Sequence, residues 1–314
     1  MTFTPCIVSL IPSATEIIAL LGLTDALVGR SHECDYPIEV QSRPVCTEPK
    51  FDPEGTSSQI HDRVSDLLQS ALSVYRVKTN VLEELQPTHI LTQAQCEVCA
   101  VSLADVEQAV ATLTHSQPQI ISLQPNTLAE VWADIERVAN ALDIDPNPAL
   151  TALKQRVNHC SQTTDSLPAD QRSTVACIEW ANPLMGAGNW IPELVELAGG
   201  TPLFGKVGQH SAWLQWSDLI EADPDVLVIM PCGFGLERTR QDATELAQHP
   251  DWAKLKAVQT GRVYITDGNH YFNRPGPRLV DSLEILAELL HPNLFQFGYR
   301  AKGWDVVADT STNA

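Results

Sequence analysis

The chain has 314 residues, 44% of them apolar and 19% charged, which is enough for one large or two ordinary domains with real cores. Its formal net charge is −19 without a basic patch, which argues against nucleic acid or an anionic membrane surface as partner. No apolar run is long enough to cross a bilayer, so no membrane insertion is expected, and the opening "MTFTPCIVSLIPSATE" lacks both a basic n-region and an unbroken apolar h-region. With Met1 in place and no leader visible, a cytoplasmic location is expected.

In chain order, "CIVSLIPSATEIIALLGL" reads as a short strand, a turn and a helix. Ser13 and Glu16 have the spacing of a capping box, and Gly22 stands where a helix C-cap would. "VLEELQPTHILTQAQCEVC" follows as a short helix, a proline turn, an apolar strand and a loop carrying cysteines, with a helix pattern from about Ser102 to Thr112. Leu128, Val131, Trp132, Ile135, Val138, Ala139 and Leu142 then fall at helical spacing. "DIDPNP" interrupts, and the pattern resumes from Ala149 to about Val157, which predicts a long or kinked helical connector. In the second half, "TVACIEWANPLMGAGNWIPELVELAGG" is again strand, loop, helix and glycine stop, with Pro192 in the first helical turn. "DLIEADPDVLVIMPCGFG" parallels "EELQPTHILTQAQCEVC" in its acidic helix, its proline and its loop cysteine.

This alternation predicts an α/β fold of two similar lobes with mostly parallel sheets, joined by one long connecting helix. The expected boundaries are an N-terminal lobe over 1–125, the connector over 126–165 and a C-terminal lobe over 166–314, with a ligand cleft between the lobes. In open parallel sheets the loops after the carboxyl ends of strands hold ligands. Aromatic residues gather in such loops: Tyr36, Trp180, Trp190, Trp213, Trp216, Tyr271 and Phe272. Any one of them is best explained by packing, but the set suits a floor for a large planar ligand. "NRPGPR" adds the cations Arg274 and Arg278, for which salt bridging to an acidic surface is an equal alternative. Of the histidines in such loops, His210 and His270 are the candidates for axial ligation of a bound metal.

Eight cysteines in a chain with no leader read as reduced thiols. Cys34, Cys46, Cys96 and Cys99 could supply four thiolates to zinc or an iron–sulfur cluster. A single CxxC is present, however, and Glu97 between its cysteines disfavours a redox thiolate. Packing or cleft-lining thiols therefore rank first, metal second and redox third. No GxSxG, phosphate-cradling loop, HExxH or GxGxxG occurs, so a binding protein explains the chain better than an enzyme. The competing reading is a metal- or redox-dependent enzyme centred on those four cysteines.

"IVSLIPSATEIIALLGLTDALVGRSHECDYP", "ELQPTHIL", "NWIPELVELAGG", "LIEADPDVLVI" and "NRPGPRLVDSLEILAELLHP" resemble, in the same order, segments of the cobalamin- and siderophore-binding family of periplasmic proteins. "DYP" and the aromatic loops bring the cobalamin-binding branch nearest. The resemblance implies two α/β lobes on a long helix and non-catalytic binding of a corrinoid, for sequestration, delivery or sensing. It implies that Tyr36, Trp213, Tyr271 and Phe272 contact the corrin ring, while Gln93 and Trp190 border the cleft. Another planar ligand, such as a haem-type tetrapyrrole or a metal chelate, is the alternative cargo. Exported members dock on a transporter through a glutamate in each lobe; Ser217, beside Asp218, stands at the second position and argues against docking here. "QCEVCAVS" is not a family feature.

Overall fold

The apolar runs read as strands form the interiors of two parallel sheets. The structure, a computed structural model, describes residues 5–69, 74–94 and 101–307. Its chain separates into two compact units. Both are α/β, as the alternation of strand and helix implies.

The first unit takes in the described parts of Met1–Gly55, Gln59–Pro125 and Ala129–Thr151. Its elements are β1 (Ile7–Ser9), α1 (Pro12–Leu20), β2 (Leu27–Arg30), β3 (Thr47–Pro49), most of α2 (Ser57–Gln69), β4 (Tyr75–Val77), α3 (Thr79–Leu85), β5 (His89–Gln93), α4 (Leu103–Ala111), β6 (Gln119–Leu123) and nearly all of α5 (Leu128–Ala141). The sheet runs β2-β1-β5-β6, all parallel, with β3 and β4 as a separate antiparallel pair. Every residue of β1 and β5 is buried, the pattern of strands covered on both faces.

The second unit takes in Thr56–Ser58, Asn126–Leu128 and the described residues from Ala152 onward. Its elements are most of α6 (Asn147–Asp165), β7 (Thr174–Trp180), β8 (Met185–Gly186), α7 (Ile191–Leu197), β9 (Thr201–Leu203), β10 (Ala212–Trp213), α8 (Trp216–Ala222), β11 (Val226–Ile229), α9 (Leu236–Leu246), α10 (Lys256–Gln259), β12 (Val263–Thr266), α11 (Leu279–Leu290) and β13 (Trp304–Val306). The sheet order is β10-β8-β7-β11-β12-β13, with β9 also on β7. Its centre, β7, β11 and β12, is parallel, and its margins β8, β10 and β13 are antiparallel. Leu227, Ile229, Ile265 and Ala243 lie in the core between this sheet and its helices.

Local signals explain most element ends. Gly22 (φ 75°) follows α1, with Gly22 N donating to Ala19 O and Leu23 N to Ile18 O, the paired bonds of a Schellman stop. The start of α1 differs from the capping box expected at Ser13. The helix begins at Pro12, so Ser13 and Glu16 fall inside it and are buried. Proline's fixed φ and missing N–H make it the better first residue, and no side chain caps this end.

The internal parallel between the halves has a structural counterpart. Helices α3 and α8 each end on a left-handed residue, Gln86 (φ 46°) and Asp223 (φ 40°), immediately before a proline and then a strand. Each cap donates its N–H to a buried leucine carbonyl, Leu82 O and Leu219 O respectively. The second helical stretch beyond Asp143 runs further than the pattern suggests, from Asn147 to Asp165.

Candidate functional site

Three loops meet at the carboxyl end of the second unit's sheet. β7 ends in Glu179 and Trp180, whose indole donates to Asn182 O in the following loop at 3.1 Å. After β11, the segment Met230–Phe234 is tied back to β7 by Met230 N to Ile178 O (2.8 Å) and Cys232 N to Glu179 O (3.3 Å). After β12, the chain makes one π turn over Gly268–Phe272. Asp267 fixes that turn: one carboxylate oxygen accepts from His270 N at 2.8 Å, and the other lies 2.6 Å from His270 Nδ1. Gly268 is required there, because a Cβ would lie 2.2 Å from Pro231 O. Asn269 N donates to Phe234 O at 3.1 Å, and Asn273 Nδ2 to Met230 O at 3.0 Å, so the two loops form one surface.

The structure brings five expected site residues together here. His270 and Tyr271 are partly exposed on the turn, Phe272 points into the core, and Trp190 is buried beneath, its Nε1 donating to Phe272 O at 2.8 Å. Arg274 is 5% exposed and donates to Asn269 Oδ1 at 3.0 Å, which ties it to the turn. Arg278 is also buried, its guanidinium 5.5 Å from the Tyr271 ring. His210 is exposed on the preceding loop, with Nδ1 3.2 Å from Ser211 O. Trp213 is 57% exposed on the two-residue strand β10, paired with Met185 of β8.

Tyr36 and Gln93 belong to the other unit. Tyr36 is 48% exposed in the loop after β2, before a cis peptide bond to Pro37. Arg30 staples that loop by donating to Ser31 O (3.0 Å), Cys34 O (3.1 Å) and Gln41 O (3.1 Å). The His32 ring lies tilted against Tyr75, 5.1 Å between centroids, and 2.7 Å from Thr47 Oγ1, while Tyr75 donates to Glu33. Burial, aided by the charges of Lys78 and Arg30, pushes the His32 imidazole down to about 4, so it is neutral at physiological pH. Gln93 is buried at the end of β5.

The thiols have packing roles where they are described. Cys34 Sγ accepts from Thr15 Oγ1 at 3.0 Å. Cys46 packs among Val8, Leu82 and Ile90, and burial raises its thiol to about 11, which keeps it protonated and a poor metal ligand. Cys96 and Cys99 lie outside the described residues. Among the described residues no cluster of three or more His, Cys, Asp or Glu is placed to hold a metal, and Cys6, Cys46, Cys160, Cys177 and Cys232 are free thiols.

Sequence reasoning missed several residues of this surface. Phe234 packs tilted against Trp180, 5.4 Å between centroids, and carries the Arg238 guanidinium 4.5 Å from its ring. Asp267 had a legible signal, its position three residues before His270, where an Asp side chain caps a turn. Asp218, beside the expected docking position Ser217, caps its own helix by accepting from Gln215 N at 2.8 Å.

Comparison with known proteins adds three findings. The family model for periplasmic binding proteins matches residues 7–269. The chain is similar to YvrC, an uncharacterized ABC transporter substrate-binding lipoprotein of Bacillus subtilis (strain 168), with 23% identity over 297 residues, 92% of this chain and 81% of that one. It also resembles the periplasmic heme-binding protein RhuT from Roseiflexus sp. RS-1 in apo form, with a TM-score of 0.67 and 22% identity over 92% of this chain and 99% of that one. The periplasmic vitamin B12 binding protein BtuF of Vibrio cholerae aligns with a TM-score of 0.62 and 20% identity over 92% of this chain and 98% of that one. At these identities the structural likenesses show the fold. The findings correct the expected cytoplasmic location: the matching family is periplasmic and the curated relative is a lipoprotein. They also tie the relative to an ABC transporter, against an expectation of no docking that rested on one position.

Proposed function

This chain belongs to the periplasmic binding protein family, whose members bind substrates for ABC transporters and are not enzymes, and on that premise we propose that its ligand is a corrinoid of the cobalamin type. Redox or metal catalysis at the cysteines has no place in such a protein. The observation that carries the corrinoid reading is the exposure of large aromatic rings, Trp213 at 57% on the two-residue strand β10 and Tyr36 at 48% in the loop after β2. Rings this large left in water mark surfaces that a ligand covers. In this reading Trp213 and Tyr271 meet the ligand on the second unit, and Tyr36 and Gln93 are the candidate contacts that the first unit offers. Trp190 and Phe272, both buried, support the surface from beneath, and Arg274 holds the turn through Asn269.

One observation favours a haem-type tetrapyrrole as the second reading. The half-exposed His270 has its Nδ1 held by Asp267, the arrangement that orients an imidazole toward a metal ion. His210, exposed with its Nδ1 3.2 Å from the Ser211 carbonyl oxygen rather than a carboxylate, is the weaker axial candidate.

Calorimetric titration of the purified protein with cyanocobalamin, and separately with haemin, tests both. Saturable one-to-one binding of cyanocobalamin at micromolar affinity, about −8 kcal/mol, is expected. Binding of haemin alone, with a Soret shift lost in His270→Ala, selects the second reading. Failure of both ligands to bind more tightly than about 1 mM, roughly −4 kcal/mol, overturns the tetrapyrrole assignment altogether.

A further inference from the structure

Glu288, near the end of α11, buries its carboxylate and uses it on a single loop. It accepts from the backbone N–H groups of Gly298 (2.7 Å), Tyr299 (3.4 Å) and Arg300 (3.2 Å), and from Trp304 Nε1 (2.8 Å). An ionised carboxylate only accepts, so it matches four converging donors; an amide in its place would turn N–H toward N–H. Covering the core alone would need no charge, since an apolar side chain avoids the desolvation cost.

The loop held in this way touches the turn after β12 at two points. Gly303 O accepts from Asp267 N at 2.9 Å, and Asp267 is the residue whose carboxylate holds His270. The Tyr299 ring meets Tyr271 edge to face at 5.9 Å. The approach is close: a Cβ on Gly303 would lie 3.3 Å from Tyr271 Cε2 and 2.6 Å from Ile285 Cδ1. The Tyr299 hydroxyl is anchored in turn, donating to Asp281 and Glu284 at 3.0 Å each. Glu288 and this loop lie beyond residues 7–269, the part of the chain that the family model matches.

We propose that Glu288, through the Gly298–Trp304 loop, is the positioning residue of the turn Asp267–Phe272 and sets how Tyr271 and His270 are presented to ligand. The inference rests on the reading that this turn faces a tetrapyrrole. Glu288 touches no ligand itself; it fixes the ring that does.

The test compares wild type, Glu288→Gln, Tyr271→Ala and the double variant. Hydrogen exchange of amides 267–273 is followed by mass spectrometry, and affinity for cyanocobalamin, or for haemin if that is the ligand bound, by calorimetry. In Glu288→Gln, exchange in the turn is expected to rise about ten-fold while β7 and β11 keep their protection. Affinity is expected to fall about ten-fold, with no further loss when Glu288→Gln is added to Tyr271→Ala. Unchanged exchange in the turn, or fully additive losses of affinity, overturns the proposal. Trp304→Phe, which removes one of the four bonds and keeps an aromatic ring, should shift exchange the same way by less, and decides the matter if Glu288→Gln does not fold. If the wild type binds neither ligand, the tetrapyrrole reading fails and the exchange comparison alone upholds or overturns the positioning role.

Discussion

The indole of Trp190 donates to the backbone carbonyl of Phe272 at 2.8 Å, and so ties the start of α7 to the turn that carries His270 and Tyr271. Both residues are buried, so no water replaces the bond if it is lost. Trp190→Phe keeps most of the ring and removes the donor. It is expected to lower unfolding free energy by about 1–3 kcal/mol, the cost of an orphaned buried carbonyl, in urea melts with unchanged slope.

Trp213 offers the opposite case, a large ring whose removal leaves the fold alone. Trp213→Ala should change stability by no more than about 0.5 kcal/mol, as at other exposed positions. Affinity for the ligand should fall about ten-fold or more in the same variant. A stability loss with unchanged affinity would make the ring a packing residue and remove it from the site.

His32 gives the first unit an acid-sensitive loop beside Tyr36. Its folded value of about 4 lies below the unfolded value of 6.5. Between these values the unfolded chain binds a proton that the fold refuses, so stability rises with pH there. The contribution is whole above pH 6.5 and is lost as pH falls toward 4, by about 3 kcal/mol at most. Melting temperatures of wild type and His32→Gln across that range should converge on the acid side.

Asp134 on α5 acts with the opposite sign. Burial lifts its carboxyl to about 6, against the pull of Arg137 and the N–H of Gln124. Here the fold keeps a proton that the unfolded chain releases near 3.8, so this contribution is full in acid and is lost as pH rises through about 6. Asp134→Asn should therefore gain on wild type between pH 4 and 7, by about 2 kcal/mol, in denaturation midpoints taken at each pH.

Arg156 on α6 donates to Glu284 at 2.8 and 2.6 Å and to Asp281, and these carboxylates hold its guanidinium above its usual range. Arg156→Leu leaves both acids and the Tyr299 hydroxyl without their cation. A loss of about 2–4 kcal/mol at pH 7 is expected, and thermal melts of the two proteins check this.

What was legible in the chain was local. Continuous apolar runs such as "VLVI" in β11, glycine stops such as Gly22 and the two left-handed caps before proline depend on neighbours in sequence. Ser13 was misjudged because two start signals compete within two residues and Pro12 wins. Trp190 and Trp213 could not be told apart beforehand: both are tryptophans in loops, and only the fold decides that one bonds inward and the other stays exposed. Glu288 looks like any acidic residue on an amphipathic helix, because its donors lie ten to sixteen residues on. The location was misread because it was argued from where the given sequence begins, which does not decide where the protein works.

The antiparallel margin of the second sheet has a consequence for behaviour at high concentration. Strand β10, which displays Trp213, is two residues long and pairs with a two-residue strand, β8. An exposed indole would ordinarily invite another copy to stack and extend the sheet. So short a strand offers too few unpaired backbone groups to template a neighbour. The protein can therefore display an exposed indole while its sheet edge resists fibre-like self-association.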